Sequence, residues 1–106
     1  MHRFFSVKES RAWCVYMVRC ADHSLYTGMS HDHLKRVMVH NQGQGAKYTR
    51  ARLPVELVYV YFGSSRSEVC RFESILKRYS KAQKERLVAD YAQGHIRSPI
   101  TKSSGV

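Results

Sequence analysis

Long apolar runs are missing from this chain of 106 residues. No stretch nears the roughly 18 consecutive apolar residues that a membrane-spanning helix needs. The opening MHRFFSVKES also lacks the apolar core and small-residue cleavage site of a secretory signal, so residues 1–11 read as a leader to the first strand. Cysteine is scarce. Cys14, Cys20 and Cys70 form no C-x-x-C and leave one over, which argues against a disulfide framework and for a reducing, cytoplasmic setting. Cys14 and Cys70 are expected to behave as small hydrophobes. Acidic side chains are few, eight against eighteen lysines and arginines, for a formal net charge of +10. Such an excess on so small a domain favours a polyanionic partner, usually nucleic acid, over a basic protein with no charge-selected partner. The basic residues are spread along the chain and not gathered on one amphipathic helix, which disfavours an anionic membrane surface. Internal repeats and linkers are absent too, so residues 12–92 read as one domain.

What is present has a clear order. Residues 12–20, AWCVYMVRC, are aromatic and β-branched and read as a strand; ADHS turns the chain, and LYTGMS returns as a second strand of a hairpin. Ser30 or Asp32 is placed to cap a helix in HDHLKRVMVHN, and the glycines of QGQG end it. AKYTRARLP reads as a basic loop, and ELVYVYF, Glu56 to Phe62, as a third strand. Ser65 with Glu68 makes a capping-box pattern before SEVCRFESILKRYS; a last helix, AQKERLVADYA, ends near Gly94. Residues 93–106 read as a mobile tail. A hairpin, a helix, a strand and two helices define an α+β fold: a small, mostly antiparallel three-stranded sheet with flanking helices.

Helical spacing sorts the polar residues. In the first helix Leu34, Val37, Met38 and Asn41 share the arc expected to pack, while His33, Arg36 and His40 form an adjoining stripe. That stripe is either a solvated face or a phosphate site, with Arg36 supplying a planar fork and His40 one turn on. In the next helix Val69, Phe72, Ile75, Leu76 and Tyr79 make an apolar arc with Glu73 at its edge. A carboxylate there requires a salt bridge or a cation, and Mg²⁺ is commonly held by only one or two carboxylates. Cys20, His23, His31 and His33 offer zinc-type ligands, but C-x2-H followed by H-x-H departs from structural-zinc spacing. Tyr16 and Tyr26, one in each hairpin strand, are ordinary strand residues on their own.

Taken together these residues resemble the GIY-YIG endonuclease domain, and most closely its small stand-alone bacterial members, the YhbQ-like proteins. The resemblance runs from Trp13 to Tyr91. CVY at Cys14 to Tyr16 stands for the first motif and YTG at Tyr26 to Gly28 for the second. Arg36 and His40 match the R-x-x-x-H that follows, GAKYT at Gly45 to Thr49 the basic loop with its tyrosine, and Glu73 the single metal-binding glutamate. Cys14, Val15 and Thr27 depart from the family pattern without removing a tyrosine, the arginine, the histidine or the glutamate.

The resemblance implies a metal-dependent DNA endonuclease that hydrolyses phosphodiester bonds, structure-selective or acting on single strands in DNA repair or recombination. The alternative is a non-cleaving nucleic-acid-binding module of the same fold; a third reading is a nuclease domain that works through a targeting protein partner. On the first reading Tyr16 is the general base or positions the water, with Tyr26 beside it and with Arg36 and a metal-bound water favouring the phenolate. Arg36 also stabilises charge on the phosphoryl oxygens, and His40 orients a tyrosine or the phosphate. Tyr48 holds the nucleophile or stacks on a base, and Glu73 anchors one Mg²⁺ or Mn²⁺. Lys47, Arg50, Arg52, Lys77, Arg78 and Lys81 are expected to flank the cleft as a DNA-binding surface.

Overall fold

In the computed structural model of the chain, residues 12–99 are described; the proposed leader and residues 100–106 of the proposed tail lie outside them. The hairpin strands are β1, Cys14–Arg19, and β2, Leu25–Ser30. They are followed by helix α1, His33–Asn41, a one-turn helix α2, Lys47–Arg50, strand β3, Glu56–Phe62, and helices α3, Arg66–Lys77, and α4, Lys81–Ala92. The sheet is antiparallel in the order β2-β1-β3, the α+β arrangement expected from the element order.

Strand β1 is central and covered on both faces, which is why CVYMV is an unbroken apolar run and not an alternation. Its odd residues Val15 and Met17 point into a cluster with Tyr59, Val69, Phe72, Leu76, Leu87 and Val88, under α3 and α4. Its even residues Cys14, Tyr16 and Val18 point the other way, into a smaller cluster with Val55 and Val60 that Val37 of α1 and Tyr26 help to close. Pairing puts Tyr16 opposite Gly28 on one side and Val60 on the other.

The helix ends follow local chemistry. Asp32 caps α1 by accepting from the Lys35 amide at 3.2 Å, while Ser30 accepts from the Asp32 amide. Ser65 caps α3 through the Glu68 amide, but the Glu68 carboxylate turns to Ser64, so only half of the expected box forms. A complete box opens α4, where Ser80 and Gln83 satisfy each other's backbone. Gly43 and Gly94 take positive φ after α1 and α4.

Arg97 and Pro99 meet the domain: Tyr59 donates to the Arg97 carbonyl at 2.6 Å, Tyr79 to the Pro99 carbonyl, and Pro99 is buried. One expectation is corrected. Cys70 is exposed, with its Sγ 3.7 Å from Met29 Sδ, whereas Cys14 is fully buried.

Candidate active site

Helix α1 is turned from its expected orientation. Leu34 and Met38 are 64% and 59% exposed, while His40, placed on the adjoining stripe, is fully buried. The reason is that both imidazole nitrogens find partners, so burying the ring leaves no polar atom stranded. His40 Nε2 lies 2.8 Å from the Tyr16 hydroxyl, and Nδ1 lies 2.9 Å from Thr49 Oγ1. Asn41, at the helix end, pins α1 to the start of β3 by bonding both the amide and the carbonyl of Val55.

Two glycines make room for this pair. A Cβ on Gly28 would sit 2.5 Å from the Tyr16 hydroxyl, and a Cβ on Gly45 would collide with His40 Nδ1. The glycine of the YTG motif and that of GAKYT therefore serve one purpose: close approach of a phenol and an imidazole.

The Tyr16 phenol is pushed up to about 12, chiefly by burial, against a hydrogen bond and positive charge from Arg36. Arg36 does favour the phenolate, as expected, but desolvation outweighs it. Burial and the same arginine hold His40 below the ordinary imidazole value. At neutral pH the pair is a neutral phenol and a neutral imidazole.

Tyr26 sits edge-on to His40 at 5.5 Å and stacks on Tyr48 at 6.1 Å. The Arg52 guanidinium lies 3.8 Å from the centre of the Tyr48 ring, donates to the Tyr48 carbonyl and pairs with Asp22 of the hairpin turn. This clasp fixes α2, hence Tyr48 and Thr49, against the hairpin. The structure thus brings together Tyr16, Tyr26, Arg36, His40 and Tyr48.

Glu73 comes from the other face. It lies on α3, which packs on the side of the sheet away from α1, but α3 runs against the edge strand β2. Its half-buried carboxylate pairs with Lys77 at 3.4 Å. Lys77 in turn lines an open cavity of about 240 Å³ with Tyr26, Thr27, Tyr48 and Lys84. The β2 edge is therefore where the carboxylate's neighbourhood meets the two outer tyrosines. Thr27, 4% exposed, has a buried hydroxyl with no partner among the described residues.

The basic residues divide into two sets. Lys47 and Arg50 flank Tyr48 in an open groove of about 690 Å³ that Arg52 also lines. Arg52, Lys77 and Lys81 are held in ion pairs with Asp22, Glu73 and Glu85. Among the described residues no ion pair engages Lys47, Arg50 or Arg78. Sequence reasoning missed Lys84, whose ammonium is held below the usual lysine value by burial and by Lys81 and Lys77, and it missed Thr49. Among the described residues no three His, Cys, Asp or Glu side chains gather to hold a metal; His31 packs on Trp13 and His33 on Phe62.

A buried tyrosine–histidine pair thus sits on a hairpin whose edge strand packs against the helix that carries Glu73. Residues 12–86 match the model of the GIY-YIG catalytic domain, and the chain belongs to that family, a nuclease superfamily. Within it the chain is similar to the UPF0213 proteins. It is 40% identical over 92 residues to one from Streptococcus pneumoniae, across 87% of this chain and 93% of that one. It is 50% identical over 76 residues to one from Natronomonas pharaonis, across 72% of this chain and 89% of that one. Among solved structures, the solution NMR structure of the E. faecalis protein EF2693 aligns with a TM-score of 0.54 at 31% identity, covering 81% of this chain and 92% of that one. No helix among the described residues is long and apolar enough to cross a membrane.

Proposed function

We propose that the protein is a metal-dependent DNA endonuclease that hydrolyses phosphodiester bonds in structured or single-stranded DNA during repair or recombination. The observation that carries this is the buried Tyr16 hydroxyl, bonded to His40 at 2.8 Å, with the positive charge of Arg36 acting on the phenol. A fold-only module has no use for a phenol placed between a base and a cation.

The geometry supports the following roles. Tyr16 accepts a proton from, or positions, the attacking water, and Arg36 stabilises both the phenolate and the charge growing on the phosphoryl oxygens. Tyr26 and Tyr48 form the wall that meets the strand; with Arg52 over the Tyr48 ring, holding the nucleophile suits Tyr48 better than stacking a base. Glu73 fits a hard divalent ion, because it is half-buried and engaged by one long pair to a lysine that is itself largely exposed. Mg²⁺ or Mn²⁺ held there supplies Lewis-acid stabilisation of the leaving oxygen. Lys47, Arg50 and Lys84 carry the strand toward this edge, together with the ion-paired Lys77 and Lys81.

The second reading, a binding module that does not cleave, is favoured by the Lys77 pair, which occupies Glu73. Cleavage assays on single-stranded, duplex, flap and branched DNA with and without Mg²⁺ decide between them. Metal-dependent nicking is expected. Binding without nicking on every substrate, with Mn²⁺ as well, assigns the module.

A further inference from the structure

We infer that Thr49 is a positioning residue: it holds the His40 imidazole with its proton on Nδ1, so that the bare Nε2 faces the Tyr16 hydroxyl as its proton acceptor. The assignment comes from following each proton to an acceptor. Thr49 Oγ1 donates to the Ala46 carbonyl at 2.9 Å, which leaves its lone pairs for His40 Nδ1, also at 2.9 Å. Nδ1 then carries a hydrogen. Nε2 is bare and accepts from the Tyr16 hydroxyl at 2.8 Å.

The reverse order fails on one atom. The Ala46 carbonyl also accepts the Thr49 and Arg50 amides at 3.1 Å each, so the Thr49 hydroxyl is free to turn toward Nδ1. Nε2 would then donate to Tyr16. The phenol oxygen would receive the His40 hydrogen, and its own hydrogen would have no acceptor among the described hydrogen bonds. A buried donor without a partner is costly, so the order starting from Tyr16 prevails. Gly45 backs the ring and Tyr26 stands at its edge, which keeps it in place.

The charged and titratable groups facing His40 are Tyr16 from β1, Tyr26 from β2 and Arg36 from its own helix. The arrangement is ready for proton transfer. The Tyr16 O–H bond breaks, the Nε2–H bond forms, and the electron pair stays on the phenol oxygen beside Arg36. The imidazolium keeps both its hydrogen bonds, Nε2–H to the phenolate and Nδ1–H to Thr49, so nothing has to turn. The tautomer stands on the hydrogen bonds alone; its catalytic consequence rests on the nuclease reading.

The test is the ¹⁵N spectrum of the His40 ring in the labelled full chain at pH 7.5, without DNA or metal. Wild type should show a protonated Nδ1 and a bare Nε2. Thr49→Val, which keeps the shape and removes the hydroxyl, should shift the proton toward Nε2, and Thr49→Ser should restore the wild-type pattern. A wild-type ring protonated on Nε2, or a Thr49→Val spectrum identical to wild type, overturns the inference. Should Thr49→Val fail to fold, the wild-type and Thr49→Ser spectra still decide it. In cleavage assays Thr49→Val should lower kcat by about 10- to 100-fold with KM unchanged, the range of a misdirected acid–base group. Equal cleavage by Thr49→Val overturns the catalytic consequence and leaves the nuclease reading standing. No cleavage by wild type sinks the nuclease reading and leaves the tautomer to its spectrum.

Discussion

One strand, β1, supplies both sides of the sheet, and the two sides are built on different rules. Under α3 and α4 the contacts are apolar: Val15 and Met17 meet Val69, Phe72 and Leu76 with no polar side chain needed to place them. Under α1 and α2 the buried residues include Tyr16, His40 and Thr49, and two glycines stand where side chains would obstruct them. A close-packed apolar face supplies stability in proportion to the area it hides from water. A polar buried face contributes less, because each group exchanges a hydrogen bond to water for one in the protein. What the second face gains is placement: a phenol held at one distance from one nitrogen. Apolar packing and polar placement are thus separated by the pleat, one residue apart along the same strand.

Substitutions on each face should therefore fail in different assays. Tyr16→Phe should lower cleavage by about 10²- to 10⁴-fold, as expected for losing an acid–base group. Its stability cost should stay near 1–3 kcal/mol, the cost of leaving Nε2 without its donor. DNA binding, read by anisotropy, should not change. Glu73→Ala should match it in cleavage, with binding equal or slightly tighter because a negative charge leaves the strand's path. Leu76→Ala is the counterpart. It should cost about 2–5 kcal/mol in urea unfolding, yet cleave normally at temperatures where it stays folded. A Leu76→Ala protein that is folded but inactive would break the separation of the faces.

The glycines sharpen the contrast at a smaller scale. Gly45→Ala places a Cβ against His40, and Gly63→Ala places one 2.6 Å from Val69 Cγ2. The first should lower activity about tenfold or more and also cost about 1–3 kcal/mol of stability, since the buried ring must shift. The second should cost about 1–3 kcal/mol of stability, as overpacking does, with activity retained.

Much of the first face was legible in the sequence, because it is written in local periodicity. The arc Val69, Phe72, Leu76 repeats at helical spacing, and those residues are the buried ones. The second face was legible mainly as a motif. Hydrophobicity alone would turn Leu34 and Met38 inward and His40 outward. The partners that reverse this lie 24 residues upstream, at Tyr16, and nine downstream, at Thr49, beyond any local window. Thr49 was hidden for a second reason: α2 is four residues long, too short to show a period, and read as loop. Ser80 with Gln83 was a readable capping box that went unread. Arg52 shows the limit of counting charge, since its guanidinium is committed to Asp22 and Tyr48.

That commitment predicts how the basic surface responds. Replacing Lys47 and Arg50 with glutamine should weaken DNA binding for all sequences and flatten the slope of log affinity against log salt by about 1.4–1.8, the loss of two phosphate contacts. Arg52→Gln should change the salt slope less and the stability more, since it loosens the clasp that holds α2. Equal slopes for the two variants would show that Arg52 contacts the DNA despite its commitment to Asp22 and Tyr48.

The smallest effect belongs to the ion pair that ties β1 to α4. Arg19, at the end of β1, grips both oxygens of Glu85 on α4 at 2.7 and 2.8 Å, and Lys81 joins at 3.0 Å. Those cations hold the Glu85 carboxyl down at about 2, against 4.5 for the free group. A carboxyl with a lowered folded value stabilises the fold above its unfolded value, and that contribution fades as pH falls from about 4.5 through 2. The Glu85 side chain is 35% exposed, so water screens the pair, and its worth is about 1 kcal/mol. Glu85→Gln should accordingly lower the urea unfolding free energy by about that amount at pH 6, and the gap to wild type should narrow by pH 3. Cleavage should be untouched, because Glu85 lies outside the tyrosine–histidine constellation. A gap that persists unchanged at pH 3 would show that the pair acts through packing of the Arg19 stem and not through charge.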